Sequence, residues 1–67
     1  MKVEDVIAQV IKARGMTLVH VSRKTGVKYS KLQPSMQGRR ELRADELLAV
    51  CAFLGLDPLK IAREIRG

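Results

Sequence analysis

The chain has 67 residues, a formal net charge of +6 and one cysteine, so one small domain is expected, with no intrachain disulfide and no cysteine-based metal site. Hydrophobic residues make up 46% of it, enough for a small core, but only Tyr29 and Phe53 are aromatic, too few rings for a stacking platform on single-stranded nucleic acid. No apolar run reaches the ~18 residues of a membrane span and no signal-peptide core is present, so a cytoplasmic protein without a membrane partner is expected.

Val3, Val6, Ile7, Val10 and Ile11 recur at three- and four-residue steps, the helical period. Glu4 and Asp5 fall in the first turn of this helix, where its dipole favours acid, and Gly15 closes it. Thr17 is a good N-cap for a short second helix over about 18–24, with Val21 turned inward. Thr25-Gly26 ends that helix. A positive φ at Gly26 would turn the chain and send Val27 back to the core.

The third helix is expected over about 28–37, with Leu32 and Met36 one turn apart on its inner face and Gly38 after its end. Pro34 lies inside it and removes the hydrogen bond to the Ser30 carbonyl, so a kink or a tightened first turn is expected. Asp45 and Glu46 start a fourth helix, about 44–54, with Leu47, Val50, Cys51 and Leu54 as its stripe and Gly55 as its stop. Asp57-Pro58 pairs an N-cap with proline at the first helical position and opens a fifth helix, about 58–65. The expected core is Ile7, Val10, Val21, Val27, Leu32, Met36, Leu47, Val50 and Leu54.

Charge is concentrated in the middle of the chain. Residues 12–43 hold nine Lys and Arg and one acid, Glu41, for +8, and the remainder sums to −2. A polyanion partner follows naturally, because each cation that neutralises a phosphate releases condensed counterion. A solvated surface that maintains solubility is the plain alternative. The basic segment spans two short helices joined by a tight turn at Gly26-Val27, a unit that places its second helix in the major groove of duplex DNA.

Catalysis finds no support. His20 has no second histidine to build a zinc site with, and Cys51 sits on an apolar stripe, where a thiol behaves as a small hydrophobe. One histidine does not assemble a nucleophilic triad here, and no glycine-rich phosphate loop is present. No catalytic residue, metal, cofactor or small-molecule ligand is expected.

Met16-Thr17, Val21, Gly26-Val27, Leu32, Gly38-Arg39-Arg40 and the run Ala44-Asp45-Glu46-Leu47-Leu48 to Leu54-Gly55-Leu56 together resemble the Cro/C1-type helix–turn–helix family of phage repressors and bacterial regulators. The resemblance implies an all-α fold, a compact five-helix lambda-repressor-like domain over residues 1–67 with a helix–turn–helix at about 17–37. It implies a sequence-specific transcriptional regulator of double-stranded DNA, or a protein-interaction module that retains the fold, such as an antitoxin-like partner binder.

By the family's reading positions, Tyr29, Ser30 and Gln33 would contact bases; Gln33 could make a two-point contact with adenine. Thr17, Lys28, Lys31, Arg39 and Arg40 would hold phosphates. Ser22, Thr25 and Ser35 stand where the family is mostly apolar, so a looser seam between the two helices is expected, with Met36 taking up the contact that Ser35 lacks. On the fifth helix, Leu59, Ile61, Ala62 and Ile65 cover an arc wider than one core needs. Ile61 and Ile65 either form a homodimer contact or wrap over the first helix.

Overall fold

The computed structural model describes residues 1–66 as five helices: α1 (Val3–Ala13), α2 (Leu18–Thr25), α3 (Tyr29–Met36), α4 (Ala44–Leu54) and α5 (Pro58–Arg66). No strand occurs among the described residues, and the fold is the expected all-α five-helix arrangement. Four of the five helices, α3 excepted, start where a nearby side chain accepts from a free amide. Asp5 Oδ2 accepts from the Lys2 amide at 2.9 Å, Thr17 Oγ1 from the His20 amide at 3.1 Å, and Glu46 Oε1 from the Arg43 amide at 2.9 Å. Asp57 Oδ1 accepts from the Leu59 amide at 3.0 Å.

α2 packs on α4 and α3, α1 on α3 and α5, and α4 on α5. One cluster fills the space between them: Ile7, Ile11, Val21, Val27, Leu32, Val50, Cys51, Leu54 and Ile61. Full burial of each Ile, Leu or Val contributes about 1.5–3 kcal/mol relative to exposure. Val10, Met36 and Leu47, expected at the centre, pack against this cluster and stay half-buried. Burial pushes the Cys51 thiol up from its ordinary value, as suits a small apolar side chain.

Of the two readings of Ile61, the wrap over the first helix is the one the structure shows: the residue is only 6% exposed and belongs to the chain's own core, with α5 packed on α1. Ile65 also packs against the core but is half-buried. The apolar residue that α5 leaves outside is Leu59, 71% exposed.

Two long-range polar bonds close the frame. Arg14 Nη1 donates to the Leu54 carbonyl at 2.8 Å, satisfying one of the free carbonyls at the end of α4. Glu4, read from the sequence as a helix-dipole residue, is buried and accepts from the Leu42 amide at 2.9 Å. It ties the start of α1 to the segment that follows α3.

Candidate nucleic-acid interface

The turn between α2 and α3 is built by one glycine and two hydroxyls. Gly26 has φ +79°, a left-handed conformation that a β-carbon penalises; no neighbouring atom crowds the position, so the constraint is the dihedral itself. Thr25 Oγ1 donates to the Val21 carbonyl at 2.7 Å and accepts from the Val27 amide at 3.3 Å. Ser22 Oγ donates to the Val27 carbonyl at 2.6 Å. Val27 therefore has both backbone polar groups bonded to α2 side chains while its own side chain is buried.

These bonds revise the expectation of a loose seam. Ser22 and Thr25 exchange apolar contact for directional bonds that fix the turn. Ser35 is fully buried, and its hydroxyl donates to the Lys31 carbonyl at 3.0 Å. No buried side-chain polar atom among the described residues lacks a partner. A buried hydroxyl without one would cost about 1–3 kcal/mol.

α3 runs through Pro34 as one helical segment. Its end is closed by the Gln37 amide on the Gln33 carbonyl at 3.1 Å and the Arg39 amide on the Pro34 carbonyl at 2.9 Å. Leu32 and Ser35 face inward. Tyr29 and Ser30 lie in the exposed first turn, Tyr29 at 42%; Gln33, one turn on, is half-buried.

The expected phosphate residues fall into two groups. Thr17, Lys28, Lys31 and Arg39 are exposed. Thr17 Oγ1 accepts from the His20 amide, which leaves its hydroxyl proton to donate. Arg39 Nη2 donates to the Gln37 side-chain oxygen, which orients the guanidinium beside the end of α3. Lys28 and Lys31 line a cleft together with Asp45 and Glu46.

Arg40 is placed differently. Its side chain is 27% exposed and both Nη atoms of its guanidinium are bonded within the chain. Nη2 lies 3.0 Å from Glu46 Oε1 and 3.2 Å from Oε2; Nη1 donates to Ser35 Oγ at 3.2 Å and reaches the Lys31 carbonyl at 3.5 Å. Glu46 is held below the usual carboxylate range first by the Arg43 amide, against the opposing effect of burial, and then by Arg40. A charge count could not distinguish this arginine from its neighbour Arg39. The readable signal was Glu46 six positions later, at the third residue of α4.

His20 and Cys51 stay apart from any site of this kind. The His20 ring meets Phe53 edge-on, with centroids 5.9 Å apart, and Cys51 is buried. Among the described residues no group of three or more His, Cys, Asp or Glu is arranged to hold a metal ion, and no helix is long and apolar enough to cross a membrane.

Two short helices joined at a left-handed glycine, with the second presenting an exposed polar face among free cations, define a helix–turn–helix protein. The family model for the Cro/C1-type HTH DNA-binding domain matches residues 6–61, and the chain belongs to that family. It is a DNA-binding regulatory domain. Searches of curated proteins and of solved structures returned no match.

Proposed function

We propose that the chain is a sequence-specific regulator that lays α3 in the major groove of double-stranded DNA. The observation that carries this reading is the division of α3: Leu32 and Ser35 are buried, while Tyr29 and Ser30 are exposed between the free cations Lys28, Lys31 and Arg39. Tyr29, Ser30 and Gln33 read base edges. Thr17, Lys28, Lys31 and Arg39 hold phosphates, aided by the free amides that begin α2 and α3. Two copies occupy half-sites about 34 Å apart, one helical turn. The domain, with extents of 32 × 23 × 22 Å, is small enough for two to sit side by side on one face of the duplex.

The test is selection of binding sites from random duplex DNA, followed by a salt series on the enriched site. A palindromic site is expected. With Lys28, Lys31 and Arg39 neutralising about three phosphates per subunit, log K should fall against log salt with a slope of about −3 per subunit. Gln33→Ala should relax preference at one base pair, losing about 1–3 kcal/mol on the preferred site. No enrichment, together with tight binding to a protein partner, would replace this reading with that of an interaction module.

A further inference from the structure

We infer that Arg40 is a positioning residue for the recognition helix and not a phosphate ligand, acting with Glu46 and Ser35 as a strut between α3 and α4. The inference rests on the reading of α3 as the base-reading helix. Three observations converge on it. The side chain is 27% exposed, and its guanidinium reaches three acceptors on two elements: Ser35 Oγ and the Lys31 carbonyl on α3, and the Glu46 carboxylate on α4. The same carboxylate receives the Arg43 amide, so a single side chain both starts α4 and holds α3. Pro34 has no amide proton to give the Ser30 carbonyl, which leaves α3 one rung short. Arg40 grips Lys31 and Ser35, the residues immediately after that missing pair. The helix that carries an interior proline is thus braced from the α4 side as well as by its packing on α1 and α2, and that brace helps set how Tyr29 and Ser30 are presented.

A planar guanidinium with several donors suits this geometry, and a lysine does not span the three acceptors. The Glu46 carboxylate offsets the charge of Arg40 and repels a phosphate brought beside its guanidinium. Lys28 and Lys31 share a cleft with that carboxylate, so Glu46 also weakens the local attraction for any duplex. These two effects of Glu46 have opposite signs, which makes it the informative substitution.

Glu46→Gln keeps an oxygen to accept from the Arg43 amide, so the start of α4 survives, but it removes the charge that holds Arg40. The first measurement is amide hydrogen exchange of the free protein. Exchange at Gln37, Gly38 and Arg39 should speed up about tenfold in Glu46→Gln, with Leu56 at the far end of α4 unchanged. The second is affinity for the selected site and for random duplex. Glu46→Gln should lower the ratio of the two about tenfold while random-duplex affinity holds or rises. Arg40→Lys should lower the ratio similarly without changing the salt slope.

Unchanged exchange at residues 37–39 would overturn the strut. So would an Arg40→Lys or Arg40→Gln protein that weakens all duplexes equally and, for Arg40→Gln, flattens the salt slope by about one, the mark of a lost phosphate contact. If the parent protein enriches no site, the base-reading proposal fails, and the exchange result alone decides the strut.

Discussion

Around α3 the chain is tied by directional bonds from Ser22, Thr25, Ser35, Arg40 and Glu46, whereas α5 rests on α1 through apolar burial of Ile61 among Ile7 and Ile11. Apolar burial is insensitive to angle and supplies most of the stability of a small domain. A hydrogen bond contributes only about 0.5–1.5 kcal/mol net but specifies distance and direction. Around α3, the helix proposed to read DNA, the molecule adds the second kind of bond to the burial of Leu32, whereas α5 relies on the first to close the core.

The comparison breaks most readily at Ile61. Ile61→Ala should destabilise the fold by about 2–5 kcal/mol, much of the stability of a chain this size, and leave the base preference of the remaining folded protein unchanged. Thermal denaturation and site selection on the same variant check both halves; an altered preference would show that α5 also aims α3.

Ser22→Ala should behave in the opposite way. It removes the hydroxyl on the Val27 carbonyl, lowering stability by about 1 kcal/mol, yet it should blur the preferred site more than Ile61→Ala does. Equal site preference in Ser22→Ala and the parent would show that Gly26 and Thr25 hold the turn without it.

The smallest effect concerns acid. Glu46 has a lower pKa folded than unfolded, so the stability it contributes is fully present above the ordinary carboxylate value of about 4.5 and is lost as pH falls through the lower folded value. Denaturation midpoints measured from pH 6 downward should fall below that point, and Glu46→Gln should flatten that part of the curve. A parallel fall in both proteins would assign the acid sensitivity elsewhere.

Much of the fold could be read before any coordinates. Val3 to Ile11 carry the helical period, and Thr17, Gly26, Gly55 and Asp57-Pro58 mark ends by their local chemistry alone. Local rules suffice there because caps and turns act within a few residues. The packing of Ile61, open between two readings, and the ion pair of Arg40 are hard to read locally for a shared reason. Four apolar residues on α5 allow several inward faces, and the crossing with α1 decides which one closes the core; Leu59 is left out. A cation in a basic run looks free until a carboxylate from another helix is brought beside it. Ser22, Thr25 and Ser35 read as defects in an apolar seam because their bonding partners are backbone atoms, whose positions exist only once the turn has formed.

Tyr29 has one more consequence. It is the chain's single tyrosine, there is no tryptophan, and it lies half-exposed in the first turn of α3. Excited at wavelengths that phenylalanine does not absorb, the protein therefore emits from one known point on the surface proposed to meet DNA. Stacking or hydrogen bonding of that phenol against a base edge alters its brightness directly, so the domain carries its own optical reporter and binding can be titrated with neither a dye nor an added residue.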